Sequence, residues 1–119
     1  MARKKKPVAP RAVQIPTIHE AELESGASGV VLKGTEINLA TAIARRKGEM
    51  DIVVCSDDLK ANRKQAQVIE TEVGPCERHE PHDLWAGPNA LPHFQQQSGF
   101  PGGHSFYETG KRKARRSKR

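Results

Sequence analysis

The sequence predicts an α+β domain, with two helices packed on a small, mainly antiparallel sheet that ends in a β-hairpin. Three observations carry this expectation. Two stretches repeat apolar residues at intervals of three or four, a β-branched run ("DIVVC") lies between them, and two short alternating stretches flank a Gly- and Pro-rich turn near the end. At 119 residues, 35% hydrophobic and only 4% aromatic, the chain has material for one domain with a modest core.

Residues 1–28 read as a flexible N-terminal linker, basic at first ("MARKKKPVAPRAV", without the apolar stretch of a signal peptide) and then acidic with glycines. "GVVLK" (29–33) suits a short strand. "TEINLATAIARRKGE" predicts a helix. Thr35 caps it, Glu36 suits the positive end of its dipole, and Arg45, Arg46 and Lys47 suit the negative end. Leu39, Ala40, Ile43 and Ala44 form its apolar stripe, and Gly48 stops it. Asp51 to Cys55 reads as a central strand covered on both faces, with Cys55 a small buried hydrophobe.

"SDDLKANRKQAQVIETEVGP" predicts the second helix, capped by Ser56 or Asp57. Leu59, Asn62, Ala66, Ile69 and Val73 share one face, and Gly74 and Pro75 end it. Residues 75–89 contain three prolines and read as irregular chain. "ALPHFQ" and "GHSFYE" form the hairpin. The compact domain is therefore expected over 29–110, with a cationic disordered tail over 111–119.

The net charge of +6 divides unevenly. Residues 1–11 carry five cations and residues 111–119 seven, with no acid in either. The 99 residues between them hold eight cations and fourteen acids, a net −6. Cationic tails of this kind are expected to collect an anionic partner, and nucleic acid has the highest charge density. Lys111, Arg112, Lys113, Arg115 and Arg116 are the candidate phosphate contacts, with Ser105 as a hydroxyl donor; Trp85 either caps the core edge or serves as a base-stacking platform. No apolar run approaches the length of a membrane span, so membrane insertion is not expected.

Five histidines occupy positions 19, 79, 82, 93 and 104. Alternation puts Leu91, His93 and Gln95 on one face of the first hairpin strand. His104, Phe106 and Glu108 share a face of the second. With the turn centred between Ser98 and Gly99, His93 lies directly opposite His104, their Cα atoms about 5 Å apart. Two imidazoles so held suit cleavage of a phosphodiester. One accepts the proton of a ribose 2′-hydroxyl and the other donates to the leaving oxygen, without a cofactor. Tyr107 is a candidate phosphate ligand, Glu108 a candidate base or orienting carboxylate, and His82 a further member of the site. A zinc site formed by Cys76, His79 and His82 is the alternative, with Asp83, His93 or Cys55 as fourth ligand.

The blocks "DIVVCSDDLKANRKQAQVIETEVGP", "PHDLWAGPNALPHFQ" and "GGHSFYE" resemble the C-terminal toxin domains of bacterial polymorphic (RHS-type) toxin systems, over residues 29–116. That resemblance implies a domain carried by a larger secreted protein, acting in the target-cell cytoplasm and blocked by a cognate immunity protein. It further implies a metal-independent ribonuclease of the barnase, EndoU, colicin or RelE type, acting on RNA through His93 and His104, with His82, Tyr107 and Glu108. A zinc-dependent nuclease, an NAD-consuming or ADP-ribosylating toxin, and a non-catalytic nucleic-acid-binding module remain open beside it.

Overall fold

The computed structural model describes residues 15–24, 30–80, 90–110 and 112–116. They form an α+β fold of two helices and a seven-stranded mixed, mostly antiparallel sheet. In chain order the elements are β1 (Thr17–Leu23), β2 (Val31–Ile37), α1 (Leu39–Lys47), β3 (Ile52–Cys55), α2 (Leu59–Val73), β4 (Cys76–His79), β5 (His93–Gln96), β6 (Ser105–Tyr107) and β7 (Arg115–Arg116). The strands lie side by side as β4-β5-β6-β3-β1-β2-β7. The β3–β6 and β2–β7 pairs are parallel and the other four antiparallel.

The β-branched run makes β3 the middle of the sheet, fully buried as expected. Its alternation divides the core. Ile52 and Val54 join Ile18, Phe94 and Tyr107 under the helices, packed on Ala42, Ala66 and Ile69. Val53 and Cys55 face the other way, with Ala21, Val31, Leu91 and Phe106, and Ala114 packs on that second layer. The helices thus cover one face only.

Both helices start a few residues later than the sequence suggests. Asn38 caps α1, its Oδ1 accepting from the Thr41 N–H at 2.8 Å, while Thr35 and Glu36 extend β2. Asp58 caps α2, its Oδ1 accepting from the Ala61 N–H at 3.1 Å. Asn62, Ala66 and Ile69 are buried as the periodicity requires, whereas Leu59 is exposed.

Three stretches depart from expectation. Thr17–Leu23, within the stretch read as a linker, is a strand between β3 and β2. Its polar composition concealed it: only Ile18 and Ala21 are buried, and a bulge between His19 and Ala21 breaks the two-residue alternation. Cys76–His79, in the proline-rich stretch read as irregular, is the edge strand β4. Pro75 precedes it, where no ladder donor is needed. Arg115–Arg116, in the stretch read as disordered, adds to the opposite edge. The Glu108 carboxylate accepts from the Ala114 N–H at 2.9 Å, and the Ala114 side chain is apolar, so the chain is drawn onto the sheet.

Beneath the helices lies a fully buried ion pair. Arg46, expected as a last-turn cation at the negative end of the helix dipole, donates from Nε and Nη2 to the two carboxylate oxygens of Glu70, each at 2.9 Å. Its Nη1 donates to the Gly102 carbonyl at 2.9 Å. Glu70 also accepts from the Ser105 hydroxyl and the Gln96 amide, both at 2.7 Å. Gly103 adopts φ +96°, and a Cβ there would lie 2.6 Å from Arg46 Nη1, so the position requires glycine. Glu70→Ala strands the buried guanidinium. Urea denaturation should show a loss of about 3–5 kcal/mol, with a smaller loss for Glu70→Gln, which keeps part of the network.

Candidate functional site

On the helix-free face the sheet aligns histidines in a row. Register pairs His79 with His93, His93 with Phe106, Phe106 with Val53, and Val53 with His19. The hairpin register differs from the expected one by two residues: Phe106, not His104, lies opposite His93. An even shift keeps every side chain on its face, so His93 and His104 meet diagonally. Their ring centroids are 4.6 Å apart in an edge-to-face arrangement. His79 stacks on the other side of His93 at 5.4 Å, and Phe106 forms the floor, 5.5 Å from His93 and 5.0 Å from His104.

Each imidazole has its own polar partner. His93 Nε2 lies 2.8 Å from Gln95 Oε1, and His79 Nε2 lies 2.7 Å from Glu77 Oε2. Asp51 holds His104 twice, its Oδ1 accepting from the backbone N–H at 2.7 Å and facing ring Nδ1 at 3.2 Å. A carboxylate on Nδ1 keeps the proton there and leaves Nε2 as the working nitrogen. Sequence reasoning missed Asp51. It lies 53 positions from His104, and only the parallel β3–β6 pairing brings the two together.

Burial pushes the His93 pKa down to about 4; the Gln95 hydrogen bond opposes the shift, and the neighbouring His104 and His79 add to it. At neutral pH this ring is therefore uncharged. Burial, reinforced by Glu108, pushes the Cys55 thiol up to about 12, which makes it an inert core residue.

The other expected site residues scatter. Tyr107 is buried on the helix side, 5.8 Å from Phe94, with its hydroxyl toward Arg78; it cannot touch a ligand held by the histidines. Ser105 is fully buried and its hydroxyl is committed to Glu70, so it is not an accessible phosphate contact. Strand alternation places both residues opposite the histidines. Glu108 is buried and bonded to the Ala114 N–H, and Asp51 takes the orienting role at His104 instead. Cys76 and His79 project from opposite faces of β4. Cys76 packs on the helix-side core, with its sulfur 3.6 Å from Thr71 Oγ1, so the pair cannot share a zinc ion in this arrangement. Among the described residues no group of three His, Cys, Asp or Glu is arranged to hold a metal. His82, Asp83, Trp85 and Lys111 lie outside the described residues.

The basic segment spreads out. Arg112 donates to the Ala90 carbonyl at 2.8 Å, and Lys113 Nζ lies 3.6 Å from Asp57. Arg115 and Arg116 are exposed on β7. Four strand spacings separate β7 from β6, roughly 19 Å.

Comparison with known proteins yields no match to any family model, curated protein or solved structure.

The depressed pKa of His93 has a consequence for stability. Between its ordinary 6.5 and about 4 the unfolded chain binds a proton that the folded chain refuses. The contribution is complete above pH 6.5 and falls away as pH drops toward 4. Denaturation curves across this window should be less pH-dependent for His93→Phe than for the parent chain. Identical slopes would mean that His93 does not titrate this way.

Proposed function

We propose that this chain cleaves RNA by metal-independent acid–base transesterification at His93 and His104. The observation that carries the reading is the 4.6 Å pairing of two imidazoles on the helix-free face, one of them held by Asp51. His93, uncharged at neutral pH, accepts the proton of a ribose 2′-hydroxyl. The 2′-oxygen attacks phosphorus and the bond to the 5′-oxygen breaks. Protonated His104 donates to that oxygen from Nε2, and Asp51 balances the imidazolium charge. The products are a 2′,3′-cyclic phosphate and a 5′-hydroxyl. The internal nucleophile selects RNA over DNA, and the two histidines supply the required acid and base.

An RNA strand laid across the helix-free face meets the histidines at one end. At the other it reaches Arg116, which strand alternation puts on the same face as Ala114 and whose charge offsets the acidic body. With the resemblance to polymorphic toxin domains, the reading extends to a delivered bacterial effector. A larger secreted protein carries it, it acts in the target-cell cytoplasm, and a cognate immunity protein blocks it.

The test is cleavage of defined RNA by the purified chain in EDTA, with product ends identified by mass spectrometry. His104→Ala and His93→Gln should each lower kcat by about 10²–10⁴-fold with unchanged circular dichroism. Asp51→Asn should lower kcat more than it raises KM. Full activity in both histidine variants would sink the proposal. Cleavage only with added zinc, or loss of NAD without loss of RNA, would select the competing chemistries.

A further inference from the structure

A small cleft opens beside His104, between it and the loop joining β5 to β6. It has a volume of about 160 Å³ and is lined by Gln95, Gln96, Gly99, Pro101, Gly102, Gly103 and His104. At ~30 Å³ per water this is room for about five waters. A phosphoryl group with part of its sugar fits; a whole nucleotide does not.

The lining contains no carboxylate, although the surrounding body is acidic. A larger cavity of about 390 Å³ on the far side of Asp51 shows the contrast. Glu20, Glu22, Glu49 and Asp51 line it, and its cation, Arg45, sits 3.7 Å from Glu20. Four carboxylates face that cavity, whereas the smaller cleft has only Asp51 beside it, with one carboxylate oxygen taken by the His104 N–H.

The buried ion pair also aims the loop's backbone. Arg46 Nη1 draws the Gly102 carbonyl inward at 2.9 Å. In a planar trans peptide the carbonyl and the next N–H point in opposite directions, so the Gly103 N–H is turned away from the buried arginine. Gly102 has open space where a side chain would stand, whereas Gly103 is packed there against Arg46, the Glu49 carbonyl and Asp51, which leaves its N–H as the group it can offer.

We infer that this cleft is the subsite for the scissile phosphate and the adjoining part of its ribose, with the Gly103 N–H as a donor and His104 at its rim. The inference rests on the acid–base reading above for its placement, but binding is measurable without turnover. A Cβ at Gly102 meets no atom within 4 Å, and the same holds at Gly110, outside the cleft. Gly102→Leu therefore adds a bulky side chain at the cleft wall without displacing its neighbours, and Gly110→Leu serves as the control.

Inorganic phosphate and uridine 3′-monophosphate are titrated into the ¹⁵N-labelled chain and followed by NMR. Amide shifts at Gly102, Gly103 and His104 are expected, stronger with the nucleotide. Gly102→Leu should weaken binding by about tenfold or more, and Gly110→Leu should leave it unchanged. Shifts confined to Arg115 and Arg116, or no shifts, overturn the subsite. RNA cleavage by Gly102→Leu at unchanged KM also overturns it while leaving the histidine chemistry standing. Binding at these amides by a chain that does not cleave RNA upholds the subsite and removes the acid–base reading.

Discussion

The ion pair between Arg46 and Glu70 sets the geometry on which the rest of the structure depends. A fully buried guanidinium and carboxylate are tolerated only when their hydrogen-bonding capacity is met. Glu70 meets it by drawing Gln96 from β5 and Ser105 from β6 to its two oxygens, and Arg46 takes the Gly102 carbonyl from the loop between those strands. Three points of one hairpin are thereby tied to two helices. A one-residue slip of either strand would bury unpaired polar groups and turn apolar residues to the wrong face.

Strand alternation transmits this constraint to the opposite face. Gln96 and Ser105 point toward the ion pair, so His93, Gln95, His104 and Phe106 must point away from it. The polar network under the helices thus sets the spacing of the imidazoles above the sheet. The parallel pairing of β3 with β6 then brings Asp51 to His104, and the placement of Glu108 against Ala114 leaves that role to Asp51. A core that would otherwise be simply apolar carries a register device, and the candidate site is its readout.

Charge is distributed to match. The described residues of the C-terminal basic segment, 112–116, do not stay beside the histidines; they cross the sheet to β7 at the far edge. Of the two arginines of β7, Arg116 shares the face of the histidines, at the far end of the sheet, and Arg115 points from the other face. The two cavities beside Asp51 differ in lining, with four carboxylates around the larger and none among the lining residues of the cleft at His104.

Local pattern made part of this legible. The β-branched run of β3, the helical spacing of Ala66 and Ile69, and the shared face of His93 and His104 all follow from side-chain period and apolarity, which neighbouring residues decide. Strand β1 was hidden because only Ile18 and Ala21 of its seven residues are buried and a bulge interrupts their alternation. Arg46 reads as a helix-end cation that suits the dipole, since no local signal announces a carboxylate 24 residues away. The roles of Tyr107, Ser105 and Glu108 were assigned by proximity in sequence to His104, and alternation and the packing of Ala114 removed them from it. By itself the sequence determined the fold class, the central strand and the face each hairpin residue occupies, because these depend on period and apolarity. Only the tertiary structure decided the hairpin register, the Asp51–His104 contact and the path of the basic segment. Each depends on satisfying buried polar groups between residues far apart in the chain, and no local pattern encodes that.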